Sequence, residues 1–343
     1  MRRGCSLSEK RLTGEELSEY IAKLFEERGK KALEITRKII NDEIARLSCE
    51  EAREALKYFM STKLKDTTRP SLLSIACEAL GGEPEKTTPI AVPLILISGA
   101  VDVHDDIIDQ SIARKGKLTL YGKFGRDIAL LIGDALLFKG FILLCEASKK
   151  FPLEKIGTIF ELVKDLFFEL GEAEAYELSL RKREAIKIEE YIELVKRKAA
   201  DFEAYMRISA LLAEASNKET EALGKYGRLL GMLIILGDDN ADMLDPSEVI
   251  NRVRNEVLPL PIIYALHKPH LRRKIVTFLR KKKMTRKDAE KISDMIYKAG
   301  VFDDIEKKFV LKFISDAKNA LKNIKNKKLL IQVLESTYPK EVI

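Results

Sequence analysis

The chain has no tryptophan, and only 7% of its 343 residues are aromatic. It has four cysteines, Cys5, Cys49, Cys77 and Cys145, with no C-x-x-C pair and no histidine beside any of them. A disulfide framework or a thiolate zinc site is therefore not expected, and reduced thiols are. No window reaches the roughly 18 uninterrupted apolar residues of a membrane span. The longest candidates, 90–101 and 229–236, run directly into aspartates. Met1-Arg2-Arg3-Gly4-Cys5 is followed by no apolar signal region, so the expectation is a soluble cytoplasmic protein with at most transient membrane contact. Charge of one sign is also lacking, since 61 Lys+Arg stand against 54 Asp+Glu for a net +7. The basic runs 280–283 and 322–328 carry no interleaved aromatics. They read as solvated helix faces, and no nucleic-acid partner is expected.

The two-residue alternation of strands is almost missing as well, and helical periodicity fills its place. With 46% hydrophobic residues the chain can bury a sizeable core. Thr13-Gly14-Glu15-Glu16 and Ser48-Cys49-Glu50-Glu51 have the spacing of capping boxes. A helix opens at Arg69-Pro70 and stops at Gly81-Gly82, and the next covers 86–109. The segment 110–125 reads as a loop and 127–148 as a buried helix. Long helices follow over 153–183, 189–215 and 218–242, and Asp245-Pro246 breaks the pattern before several shorter ones. With no linker, low-complexity stretch or short repeat, residues 1–343 are expected to form one all-α domain, a helical bundle around a deep central cavity.

Within that pattern one acidic arrangement occurs twice. Asp105-Asp106-Ile107-Ile108-Asp109 and Asp238-Asp239-Asn240-Ala241-Asp242 each close a strongly apolar stretch. On a helix the first and fifth residues lie one turn apart on one face, so Asp105 would join Asp109, and Asp238 would join Asp242. Carboxylates held that close repel one another and are costly to desolvate without cations. Mg²⁺, which takes a few carboxylates together with substrate phosphates, suits such a pair of clusters. A solvated surface cluster is the usual alternative, but the apolar runs and the recurrence favour a site.

Between the two groups stand Ala113-Arg114-Lys115-Gly116-Lys117-Leu118-Thr119, Phe124-Gly125, Gly133-Asp134-Ala135-Leu136-Leu137, Lys198-Ala199-Ala200 and Gly231, with Leu260-Pro261-Ile262-Ile263-Tyr264-Ala265-Leu266 beyond. With these motifs the chain resembles the polyprenyl synthetase family, the trans-isoprenyl diphosphate synthases. The resemblance implies an isoprenoid synthase fold, commonly a homodimer, in which up to three Mg²⁺ and basic residues stabilise departing pyrophosphate. An allylic prenyl diphosphate ionises, and isopentenyl diphosphate attacks the cation to give a longer prenyl chain. Such chemistry leans on electrostatics at the leaving group and on a dry apolar cavity. By this similarity Asp105, Asp106 and Asp109 would hold two ions, and Asp238 with Asp242 the third, with Asp239 completing the second group. Arg114 and Lys198 would grip the allylic diphosphate, while Arg69 and Lys115 match isopentenyl diphosphate positions.

The departures from the family pattern cluster on the isopentenyl side. Asp66 stands where a lysine is expected, with Lys63 and Lys65 as nearby substitutes, and Ser98 replaces a His or Gln. Lys115 replaces an Arg, Ala199 a Thr, Ile234-Ile235 a Phe-Gln pair and Glu172 a Gln, and no lysine follows Asp242 closely. Chain elongation is the first reading. The alternatives are passage of the cation to its own double bonds, another acceptor or water, and a regulatory role beside an active synthase. Ile97, Gly99, Ala100 and Val101 offer no aromatic plug beneath Asp105, which suggests a deep tunnel and a product of about C20 or longer unless Phe138 or Phe141 intrudes. Asp102 is expected to pair with a lysine, His104 to pack, and Asp134 to be a buried carboxylate orienting a basic partner.

Overall fold

The computed structural model describes residues 14–338 apart from Lys115, Lys182 and Glu184, and these residues form the expected all-α architecture. The first long helix, α1 (Gly14–Ile44), buries Leu17, Ile21, Leu33 and Ile40 along one stripe. Thr13, its predicted cap, lies outside the described residues. Helix α2 (Glu50–Thr62) starts one residue later than the Ser48 spacing predicts. Its N-cap is Cys49, which makes no side-chain capping bond, as expected of a weakly accepting thiol. Helix α3 (Thr68–Ala79) carries Pro70 in its first turn and ends before Gly81-Gly82 as predicted.

Helix α4 (Thr88–Ile108) delivers the first aspartate group at its C-terminal end. The segment expected as a loop instead holds a short antiparallel hairpin, β1 (Ala113–Arg114) with β2 (Lys117–Leu118), in which Arg114 pairs with Lys117. Helix α5 (Leu120–Ala147) follows, broken at Gly125 where φ is 80°. It approaches α4 so closely that a Cβ on Gly140 would sit 2.6 Å from Ile97 Cγ1 and 3.1 Å from the Pro93 carbonyl.

The prediction of a wholly buried helix over 127–148 needs correction. Helix α5 is apolar nearly all round, but only the stripe through Ala129, Ile132, Gly133, Leu136, Gly140 and Leu144 is covered. Leu131 and Phe138 stand outside it, 63% and 74% exposed. Among the described residues α5 is the one helix long and apolar enough to cross a membrane by length and composition, and a third of that stretch is buried against the protein. Asp134 lies on the uncovered side, exposed rather than buried, 3.1 Å from His104 Nε2.

Next come α6 (Leu153–Leu180), α7 (Ile188–Lys198), α8 (Ala200–Leu212) and α9 (Asn217–Asp242), the last carrying the second aspartate group. The single helix expected over 189–215 is divided at Ala199, immediately after Lys198. Asp245 caps α10 (Pro246–Asn255) by accepting a hydrogen bond from Ser247 N at 2.8 Å. Six shorter α-helices follow among the described residues, α11 (Leu260–Leu266), α12 (Pro269–Leu279), α13 (Arg286–Lys298), α14 (Val301–Ile305), α15 (Leu311–Ala320) and α16 (Lys328–Thr337).

Two apolar clusters hold these elements. One joins α2, α4 and α5 through residues such as Phe59, Leu96, Val103 and Leu136. The other joins α3, α7 and α9 to the C-terminal helices through Leu72, Tyr191, Leu233 and Ile292. Phe59 fills the space beside Gly99, where an added Cβ would lie 2.5 Å from the ring. Gly99→Ala is therefore expected to cost about 1–3 kcal/mol by overpacking. The check is the denaturant midpoint, and pairing Gly99→Ala with Phe59→Leu should recover part of the loss.

Candidate active site

Helix periodicity places Asp105 and Asp109 one turn apart on α4, as the spacing predicts. Glu174 of α6 joins them, and the three carboxylates offer oxygens that all lie within 4.8 Å of one another. Glu174 Oε2 is buried without a hydrogen-bond partner among the described residues. Burial, reinforced by the charges of Asp105, Glu256 and Glu177, pushes the Asp109 carboxyl up to about 8. Burial likewise raises Asp105 and Glu174 against the opposing charge of Lys198. Buried carboxylates held this close favour a bound cation, and their all-oxygen donors fit a hard divalent one.

Asp106 points elsewhere. It is buried and meets Lys63 Nζ at 3.0 Å and Arg114 Nε at 3.0 Å. Arg114, set on the hairpin, also donates to Asp109 Oδ2 at 3.0 Å and approaches Glu256 at 3.6 Å. Burial disfavours its charge, but Glu256, Asp105 and Asp106 outweigh that and keep it ionised. Arg181, at the end of α6, contacts Asp109 and donates to the Ile108 carbonyl at 3.1 Å. Lys198 reaches back from the break in α7–α8 to Glu177 and, at 3.0 Å, to Glu174. Its burial is likewise outweighed by Glu177, Asp105 and Glu174, so the ammonium stays charged.

The second aspartate group is built differently. Asp238 is exposed, Asp242 is half-buried, and Asp239 is buried in a ring of donors. Tyr191 Oη donates to Asp239 at 2.6 Å, the Leu260 amide donates at 3.1 Å, and Arg252 contacts it directly. The structure thus places Asp239 as the group's anchor, with Asp238 and Asp242 on either side of it. Burial pushes Asp242 up to about 6 despite Arg252 Nε at 3.7 Å. Arg252 also donates to Glu256 at 2.9 Å. The chain Arg114–Glu256–Arg252 therefore ties the two aspartate groups together.

The model for the family described as polyprenyl synthetase matches residues 49–296, more than half of the chain. The chain belongs to the polyprenyl synthetase family. Among its curated relatives, a geranylgeranyl diphosphate synthase of Methanosarcina mazei is 32% identical over 61% of this chain and 64% of its own length. The geranylgeranyl diphosphate synthase of Sulfolobus acidocaldarius is 32% identical over 53% of this chain and 56% of its own length. The chain thus spans somewhat under two thirds of these relatives. The crystal structure of a geranylgeranyl pyrophosphate synthetase from Pyrococcus horikoshii superposes with a TM-score of 0.78 at 24% identity, covering 93% of this chain and 98% of that one. A Caulobacter crescentus polyprenyl synthase, solved with calcium and isoprenyl diphosphate, gives a TM-score of 0.76 at 21% identity over 96% and 97%. These likenesses establish the all-α prenyl synthase fold.

Lys198, Arg114 and the first aspartate group lie together, and Lys63, Asp66, Arg69 and Ser98 line a small space of their own, their charges engaged within the protein. Arg69 Nε and Nη2 both donate to Asp201 Oδ2, at 3.1 and 3.0 Å, and Nη1 donates to Asp66 at 3.0 Å. Lys63 is taken by Asp106, and Lys65 lines a separate surface groove with Glu26 and Arg37. Lys115 lies outside the described residues. Ser98 is bonded to Tyr205 and donates to the Leu94 carbonyl at 2.8 Å. Among the described residues Asp102 makes no ion pair with a lysine, and Arg69 and Lys63 supply the opposing charge around it.

The expected plug-free tunnel is narrow here. Phe141 and Phe167 meet at a tilted angle with ring centroids 5.7 Å apart, and the space that Ile97, Val101, Phe167 and Leu170 line together with Arg69, Asp102 and Tyr205 is about 30 Å³. Phe138 points away from it, on the exposed side of α5. Glu174, Glu177, Arg181, Asp201 and Glu256 were invisible to sequence reasoning because they sit in, or just past the end of, ordinary charged helices. Arg252 with Glu256 carried the one available hint, an i,i+4 pair of opposite charge.

Proposed function

We propose that this protein is a Mg²⁺-dependent prenyltransferase that ionises an allylic prenyl diphosphate. The observation that carries the reading is the Asp105–Asp109–Glu174 cluster, whose oxygens all lie within 4.8 Å of one another, flanked by Lys198, Arg114 and Arg181. In this reading Asp105 and Asp109, with Glu174, would hold Mg²⁺ on the first side, and Asp238 and Asp242 would hold it on the second. Mg²⁺ would supply positive charge that stabilises the leaving pyrophosphate. Lys198 and Arg114 add fixed positive charge, and Ile97, Val101, Leu166 and Phe167 keep the reacting carbon away from water. Asp106 orients Arg114, and Arg181 fixes Asp109.

The names of the relatives support isopentenyl diphosphate as the acceptor, with a product of about C20 or longer set by how far the chain can push past Phe141 and Phe167. The pairing of Arg69 with Asp66 and Asp201 favours a second reading in which the cation passes to another acceptor, to its own double bonds or to water. The polyprenyl synthetase resemblance and the exposed Leu131–Phe138 side of α5 support a homodimer with that apolar side at the interface. The deciding assay supplies Mg²⁺ and farnesyl or geranylgeranyl diphosphate, with and without isopentenyl diphosphate. Mg²⁺-dependent pyrophosphate release is expected, and chelation should abolish it. Absence of release under both conditions would sink the ionisation reading.

A further inference from the structure

We infer that the outer face of α12 and α13 docks on an anionic phospholipid surface. Residues 268–298 hold 12 Lys+Arg against 3 Asp+Glu, and the rest of the chain holds 49 against 51. The excess positive charge of the whole protein thus resides in this one helical pair and its turn. The basic run 280–283, which the sequence alone presents as a solvated helix face, is the corner of a larger surface.

Ile275 of α12 and Ala289, Ile292 and Ile296 of α13 are buried beneath this surface and fix the two helices side by side. Between them runs an open groove of about 410 Å³, lined by Lys274 and Phe278 of α12 and by Lys291, Met295 and Lys298 of α13. Asp294 is the one carboxylate in its lining, and it stands 3.9 Å from Lys298 Nζ. Lys282, Lys283 and Lys287 are exposed around the turn. Among the described residues, Lys274, Lys282, Lys283, Lys287 and Lys291 make no ion pair, so their charge is available to a partner. Two large apolar groups stand out beside the groove. Tyr297, in the last turn of α13, is 71% exposed, and Leu244 is 81% exposed. Ser293 ties α13 to the turn that carries Leu244, donating to the Met243 carbonyl at 2.7 Å. Basic segments are drawn to anionic headgroups, and lasting attachment takes a second, apolar signal. Both are present here. The lysine stems can lie along Phe278 and Met295 while their ammonium groups reach the phosphates. A nucleic-acid backbone matches the charge but offers an exposed leucine no apolar partner. The proposed function adds a use for such a surface, since a long prenyl chain leaves water most readily into a bilayer. That use rests on the proposed function, whereas the docking does not.

The test is co-sedimentation of the full chain with vesicles, either equal parts phosphatidylglycerol and phosphatidylcholine or phosphatidylcholine alone. Wild type is expected to sediment with the first and not the second, and to be released at high salt. Lys274→Gln/Lys282→Gln/Lys283→Gln/Lys291→Gln should weaken partitioning at least about tenfold. The control Lys307→Gln/Lys312→Gln/Lys322→Gln/Lys325→Gln removes the same charge from other exposed positions and should leave partitioning within about twofold. All eight lysines are exposed, so both variants should keep the wild-type melting temperature. Equal weakening in the two variants would overturn the inference, as would wild-type binding to phosphatidylcholine alone or no sedimentation with the anionic vesicles. Tighter binding to a DNA duplex than to the anionic vesicles, lost in the first variant, would assign the surface to nucleic acid and overturn it too. Without vesicles, pyrophosphate release from a soluble allylic diphosphate should match wild type in both variants. Failure of the ionisation reading would show in that assay and leave the sedimentation result unchanged.

Discussion

Replacing Asp109 by asparagine is expected to lower Mg²⁺-dependent pyrophosphate release by about 10²–10³-fold or more, while making the metal-free protein less sensitive to alkaline pH. The two effects have one cause. Asp109 is buried beside Asp105, Glu256 and Glu177, and its carboxyl is pushed up to about 8 in the folded protein. In the unfolded chain it titrates near about 4. Between these values the folded state holds a proton that the unfolded state has released, so stability falls as pH rises through that window and is lowest above it. Mg²⁺ competes for the same oxygens and relieves the repulsion. It should therefore raise the Tm more at pH 8 than at pH 5. An asparagine side chain cannot ionise, so the variant should show a shallower pH dependence and a smaller Mg²⁺-induced rise. A Tm in wild type that responds equally to Mg²⁺ at both pH values would contradict the assignment of Asp109 as a ligand. Full pyrophosphate release by the variant would do so more directly.

The second large effect is expected at Arg252, where Arg252→Met should destabilise the fold by about 3–5 kcal/mol. Among the described residues Arg252 is the one side chain that contacts both Asp239 and Glu256, whose side chains are 3% and 2% exposed, and it also faces Asp242. Methionine can fill much of its volume but takes the arginine's charge away from two buried carboxylates. Tyr191 and the Leu260 amide retain Asp239 only in part, and Arg114 is left as the remaining cation near Glu256. Pyrophosphate release should fall as well, because the second aspartate group loses its anchor. Arg254→Met, at an exposed position on the same helix, should change stability by no more than about 0.5 kcal/mol. Denaturant unfolding of the two variants side by side separates this network from a general sensitivity of α10. Equal midpoints would show that the Arg114–Glu256–Arg252 chain contributes little.

Much of the helical framework was legible before any coordinates, because apolar periodicity, Pro70, Gly81-Gly82 and Asp245-Pro246 act locally. Prediction failed where a neighbour decides the outcome. The division at Ala199 lies where Lys198 turns back to Glu174 and Glu177 on another helix, an encounter no local propensity encodes. Helix α5 looked buried since its composition is apolar, yet α4 covers only one stripe of it. Asp134 was expected to be buried for the same reason. Capping at Ser48 missed by one residue, within the ordinary uncertainty of helix ends.

By itself the sequence determined that this protein is all-α, that it carries two aspartate groups at helix ends, and that its family is that of the polyprenyl synthetases. These follow from spacing along a chain, where the helical period fixes which residues share a face. Only the tertiary structure decided which carboxylates act together. It joined Glu174 to Asp105 and Asp109, turned Asp106 toward Lys63 and Arg114, and gave Asp239 to Tyr191 and Arg252. It also paired Arg69 with Asp201, 132 positions away. The physical reason is that ion pairing depends on distance in space and on the dielectric around each group, and packing between helices sets both.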